Sequence, residues 1–158
     1  VQAKKHAFEH QGSQQTLAEG LAEYHQKNPD LVKGRSLSPE ARLFFQRHDV
    51  VHVIYGCGTS LPEEAVVKIA SLVGTTGGLR VLSGYRLHES IEIYRHLPVM
   101  ATLHSIASSV FLVPRTVWRC LRQHRRWPWE HYEPYLPRPL CDLRAEFGVQ
   151  VAHRVDRE

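Results

Sequence analysis

The chain has 158 residues, of which 42% are hydrophobic and 9% aromatic, and 20 Lys and Arg stand against 16 Asp and Glu for a net charge of +4. This is the composition of one ordinary soluble domain, long enough to bury about 68–70% of its unfolded surface, and its cation surplus falls far short of the dense basic stripe of a nucleic-acid binder. Cys57, Cys120 and Cys141 are widely spaced and odd in number. They do not form a disulfide framework and point to a reducing compartment. No run approaches the roughly 20 apolar residues of a membrane span.

Residues 1–12 show no period and read as a flexible lead-in. A helix is expected after Ser13, through Leu17, Leu21 and Tyr24, until Asn28-Pro29 stops it. Ser38-Pro39-Glu40 is a start signal: Ser caps, and Pro in the first turn gives up an N–H that has no helical partner. The helix that follows carries Leu43, Phe44, His48, Val51, His52 and Tyr55, and Gly56 stops it. Ser60 and Glu63 form a capping box for the next helix, whose Ala65, Val66, Ile69, Leu72 and Val73 repeat at helical spacing up to Gly74. Helical patterns continue over 79–96, interrupted near Gly84, and over 99–126, kinked or broken at Pro114. Gly78 to Ser83 reads equally as a short strand or a helical turn. Four prolines and four Trp or Tyr residues make 127–139 an extended wrap over the surface. Pro139 opens a last helix through Leu140, Leu143 and Phe147, and Gly148 ends it. The expected class is all-α: a single-domain bundle of about six to seven helices, with residues 13–158 as one metal-binding domain.

The chemistry concentrates in the second helix. His48 and His52 are four residues apart, so their side chains share one face. Asp49 turns onto the edge of that face. Eleven residues after His52 comes Glu64, in the first turn of the next helix, and a short connection makes the two helices antiparallel neighbours. Folding back brings Glu64 opposite the imidazoles, giving a cluster of two His and two carboxylates. Such a set suits a divalent cation: imidazole favours zinc, iron or cobalt, and the carboxylates keep manganese and magnesium open. If one carboxylate stands behind the others, a position stays free for substrate or water. The bland alternative is a chance His pair on a helix, with Asp49 holding His52 or Arg47.

The run His48-Asp49-x-x-His52, eleven residues, Glu64 resembles the signature of the Coq-four-type ubiquinone-biosynthesis proteins. Glu64-Ala65-Val66-Val67-Lys68 and the closing segment 129–148, with Leu140, Leu143-Arg144 and Glu146-Phe147-Gly148, are similar to flanking parts of that family. The resemblance spans about residues 38–148. It implies an all-α fold and a divalent metal, zinc first, on His48, Asp49, His52 and Glu64. It further implies a role in the oxidative decarboxylation of a polyprenylated hydroxybenzoate, in which the ring carboxylate is lost and a hydroxyl is placed on the same carbon. The alternative is a prenyl-lipid-binding scaffold with a structural metal. The partners implied are the polyprenylated aromatic substrate, other quinone-biosynthesis enzymes and a membrane face contacted peripherally, with a homodimer left open and no nucleic acid. The implied location is the cytoplasm or cytoplasmic membrane face in a bacterium, or the matrix face of the mitochondrial inner membrane in a eukaryote.

Other residues keep two readings at this level. Arg119, Arg122, Arg125 and Arg126, followed by Trp127 and Trp129, read either as a basic aromatic face toward a membrane or as a solvated helix end. Val66, Ile69, Val73, Ile91, Ile106, Val110 and Phe111 line either a groove for a prenyl tail or the core. Tyr85-Arg86-x-His88-Glu89 offers an arginine for an anion or is a surface of mixed charge. Cys57 reads as a small buried filler.

Overall fold

Capping chemistry places the helix starts in the computed structural model, which describes residues 6–29, 38–87 and 112–152. Helix α1 (Leu17–Lys27) opens on a reciprocal box in which the Thr16 hydroxyl accepts from the Glu19 N–H and the Glu19 carboxylate accepts from the Thr16 N–H. It begins after residues 13–16 because their backbone is occupied by the segment before the last helix. Leu17 donates to the Arg138 carbonyl, Leu140 to Gln15 and Cys141 to Ser13. Helix α2 (Pro39–Ile54) opens with the Ser38 hydroxyl accepting from Ala41. Helix α3 (Leu61–Ile69) opens on the expected Ser60–Glu63 box and runs on into a wide turn, Ala70–Gly74.

A tight turn at Gly78–Arg80 leads into α4 (Val81–Leu87), residues 112–121 form α5, and α6 (Leu140–Phe147) closes at Gly148, whose φ is +70°. The protein is all-α; among the described residues no strand occurs, only isolated bridges at Thr16–Pro139 and Thr75–Trp127. The buried side chains form one core, with Leu17 and Tyr24 of α1, Val50 to Ile54 of α2, Val66 and Val67 of α3, and Leu140, Leu143 and Phe147 of α6.

Several expectations need correction. Residues 6–12 are part of the fold rather than a loose lead-in: a turn at Ala7–Glu9 puts Phe8 at 0% exposure in the core, against the ring of Tyr24. A lone aromatic side chain carries no period, yet its burial anchors the strand of chain around it. Gly78 to Ser83 is helical, and Gly84 does not interrupt α4. A Cβ at Gly84 would stand 2.2 Å from the Phe44 ring, so glycine is what lets α4 approach α2. Helix α5 ends at 121, short of Arg126. Trp127 and Trp129 are buried in the core, so they form no outward aromatic face; the exposed ring is Trp118, with the Arg122 guanidinium over it. Of the tail-groove residues, Val66 belongs to the core. Ile91, Ile106, Val110 and Phe111, and the pair His88-Glu89, lie outside the described residues.

Arg144 of α6 ties the architecture together. It is 1% exposed. Its guanidinium donates to four backbone carbonyls, Phe8 and His10 of the N-terminal segment and Val53 and Ile54 at the end of α2, at 2.5–2.9 Å. The Ile54 carbonyl is one that a helix end leaves without an intrahelical partner, and the Val53 carbonyl accepts from Arg144 in addition to the Gly56 N–H. Burial pushes the guanidinium pKa down to about 10, and the group stays charged at neutral pH.

Candidate metal centre

The turn after α2 does two jobs at once. Gly56, at φ +62°, reverses the chain, and the Gly56 and Cys57 N–H groups donate back to Val53 and His52 in the pattern of a Schellman stop. A Cβ at Gly56 would meet Val151 at 2.9 Å and the Glu9 carbonyl at 3.1 Å, so both φ and space call for glycine. The same turn delivers the Gly58 carbonyl to within 2.9 Å of His52 Nδ1. A carbonyl only accepts, so Nδ1 carries the proton and donates. In the neutral ring, Nε2 is then a bare lone pair.

That lone pair faces a carboxylate. The capping box at Ser60 starts α3 so that Glu64, one residue past the box, leans back over α2, with its Oε1 3.2 Å from His52 Nε2 and its Oε2 3.9 Å from His48 Nε2. Donor atoms of His48, His52 and Glu64 all lie within 4.8 Å of one another. His52 Nε2 is sealed from solvent and makes no hydrogen bond of acceptable geometry. Two acceptors therefore point at one another in a buried place, which is stable only with a proton or a metal cation between them. The residues present fit a cation.

Aromatic walls fix the rings. Tyr24 stacks on His52 with centroids 5.0 Å apart, Phe44 stacks on His48 at 6.1 Å, and the two imidazoles meet edge-on at 4.7 Å. His48 is 8% exposed and His52 0%, while the Glu64 side chain keeps 26%, so the cluster opens to solvent on the Glu64 side.

Electrostatics follow from this placement. Burial disfavours the His52 imidazolium, but the Glu64 carboxylate, together with Asp49, outweighs it and the His52 pKa is raised. For His48, burial dominates and the pKa is lowered. Glu64 is buried too, which favours its neutral form, yet His52 and His48 beside it hold its carboxyl below the ordinary value.

Three of the four residues expected from the sequence thus converge. Asp49 stands one step back. Its Oδ2 is 2.8 Å from His25 Nε2 on α1, and its Oδ1 is 4.0 Å from His48 Nδ1. Despite burial, the hydrogen bond from His25 and the nearby imidazoles of His48 and His52 hold its carboxyl low, and Asp49 in turn raises the pKa of His25. Asp49 thus stands where an outer carboxylate would stand behind a metal site, hydrogen-bonded to His25 rather than to a clustered imidazole. His25 was not legible in the sequence: it lies 24 residues from Asp49, and only the packing of α1 on α2 brings them together. Cys57 is fully buried, which pushes its thiol pKa well up, and its Sγ lies toward the Tyr55 carbonyl rather than the cluster. It is filler, as expected.

Comparison of the chain with family models, with curated proteins and with solved structures returned no match. Among the described residues, no helix is long and apolar enough to cross a membrane.

Proposed function

We propose that the chain binds one divalent cation between α2 and α3 through His48, His52 and Glu64, with Asp49 behind them, and acts as a metal-dependent enzyme of the Coq-four type. The observation that carries this reading is the His52 lone pair, fixed by the Gly58 carbonyl and facing the partly buried Glu64 carboxylate. Two imidazoles and one carboxylate are the ligand set of hydrolytic zinc sites and of non-haem iron oxygenase sites, both of which keep a position free. Zinc is the first choice by resemblance. Iron suits an oxidative reaction, since zinc has no redox chemistry.

Bound there, a cation supplies a Lewis-acid centre for a carboxylate or phenolate oxygen. The chain does the rest. Gly58 fixes the tautomer of His52, Asp49 with His25 steadies the His48 side, and Tyr24 and Phe44 keep water from the flanks of the rings. The substrate class that follows from the resemblance is a polyprenylated hydroxybenzoate, decarboxylated and hydroxylated at the same ring carbon: carbon dioxide leaves, water supplies the hydroxyl oxygen, and dioxygen takes the two electrons to become hydrogen peroxide.

The test compares the protein, prepared without chelators, with His52→Ala on a prenylated hydroxybenzoate under air. The reading expects a bound metal and a hydroxylated, decarboxylated product from the parent protein, and neither from the variant. A metal-loaded parent protein that forms no product while still binding the prenylated acid would overturn the enzyme and leave the scaffold.

A further inference from the structure

A cavity of about 240 Å³ opens beside Phe44, lined by Phe44 and Arg47 of α2, Arg80, Val81 and Gly84 at the α4 end, and Trp129. Its two arginines differ. Arg80 is paired with Glu130 at 3.8 Å and is largely exposed. Arg47 is half-buried, its Nε is closed off from solvent, and that atom makes no hydrogen bond. Glu40 also lines the cavity, but among the described residues no carboxylate forms an ion pair with Arg47. A buried guanidinium N–H left without an acceptor is costly, because the desolvation of a charged donor goes uncompensated. The lining is mixed: Glu40, Arg80, Ser83 and Glu130 are polar, and two flat apolar rings, Phe44 and Trp129, lie with centroids 5.7 Å apart, tilted by 56°. Glycine at 77 keeps Trp129 close, since a Cβ there would stand 2.9 Å from its ring.

We infer that this cavity is an oxyanion site for a ligand with a flat apolar body, the Arg47 guanidinium holding a carboxylate or phosphate oxygen while the body lies against Phe44 and Trp129. A guanidinium is the group for this task, since its planar fork matches such oxygens two at a time. The volume admits a single ring or the head of a longer molecule. Phe44 is shared: it lines the cavity and stacks on the His48 imidazole, so a ligand seated here lies one ring away from the candidate metal centre. The inference deepens the proposed function, resting on it for the reaction and standing apart from it for binding.

Binding is tested by isothermal titration of the intact protein with 4-hydroxybenzoate, phenyl phosphate, inorganic phosphate and phenol, alongside Arg47→Gln, Arg47→Lys and His52→Ala. Aryl oxyanions are expected to bind about tenfold or more tighter than phenol or inorganic phosphate. Arg47→Gln is expected to lose about ten- to a hundredfold in aryl-oxyanion affinity, with Arg47→Lys in between, while both variants keep the parent's circular dichroism and metal content. Whichever of the aryl carboxylate and aryl phosphate binds tighter identifies the ligand's anion. His52→Ala is expected to lose metal and keep aryl-oxyanion binding, which separates the two readings. Binding that is unchanged in Arg47→Gln, or phenol or inorganic phosphate binding as tightly as the aryl oxyanions, overturns the site.

Discussion

Two polar clusters are buried within one turn of each other at the end of α2, and they differ in whether their hydrogen bonds close. Arg144 finds four carbonyl oxygens for its guanidinium, at 2.5–2.9 Å. The imidazole of His52 finds one, at Nδ1, and presents its other nitrogen to a carboxylate that offers no proton. The first arrangement is complete without a ligand and serves architecture. The second closes only when a proton or a cation lies between imidazole and carboxylate, and that gap is what makes it a candidate binding site rather than a finished polar core. The two are also connected, because the carbonyls that Arg144 holds belong to Val53 and Ile54, directly after His52. The clamp keeps the end of α2, and so the turn carrying Gly58, in register with Glu64.

Breaking the complete cluster has the largest expected effect. Arg144→Met leaves the carbonyls of Phe8 and Ile54 unpaired in the interior and strips those of His10 and Val53 down to their backbone donors, Ser13 and Gly56, and a loss of about 3–5 kcal/mol is expected in urea unfolding, the range for removing one partner from a buried charged network. A loss under about 1 kcal/mol would show that the N-terminal segment is held by Phe8 packing alone.

The incomplete cluster answers to pH instead. A proton and a cation compete for His52 Nε2, and Glu64 raises the pKa of that imidazole above its ordinary 6.5 despite burial. Metal affinity therefore begins to fall on acidification from above pH 6.5, by up to about tenfold per unit for one proton. Titrations from pH 8 to 5.5 read this directly. In the metal-free protein the carboxyls of Asp49 and Glu64 are held below 3.8 and 4.5. The stability they contribute is present in full above those values and is lost as pH falls through their lowered native pKa values. His52, raised in the fold, acts oppositely: its contribution is complete below 6.5 and fades as pH climbs through its native pKa. A metal-free protein whose stability does not change from pH 6 to pH 3 would contradict this account of the carboxylates.

The smallest effect belongs to the outer rank. His25→Ala removes the hydrogen bond that holds Asp49, and about a tenfold loss of metal affinity is expected. Its side chain is 38% exposed, so little change in global stability should accompany that loss.

The sequence was most legible where structure is made locally. The Ser38 and Ser60 starts, the Gly56 and Gly148 stops and the shared face of His48 and His52 all depend on residues within a few positions of one another. Those signals allow Glu64 to return onto the imidazoles once the connection between α2 and α3 folds back, and the structure shows that it does. What required the fold is whatever depends on distant partners. Asp49 sits on the edge of its helix face, and only the arrival of α1 decides that it turns to His25. Trp127 and Trp129 follow an arginine-rich stretch and invite a surface reading, but the Trp127 N–H and carbonyl bond the wide turn at Gly74 and Thr76, drawing both rings inward. Phe8 lies in a polar stretch, and its burial depends on Arg144 pinning the Phe8 and His10 carbonyls from 136 and 134 residues away.

The most direct test is elemental analysis, with X-ray absorption at the edge of whichever metal is found, on the protein purified without chelators and on Glu64→Gln beside it. The account predicts close to one divalent metal per chain with two imidazoles and oxygen in its shell, and a strongly reduced content in the variant. A parent protein that stays metal-free after incubation with zinc and with ferrous iron, or a Glu64→Gln protein that retains a full complement, would contradict it.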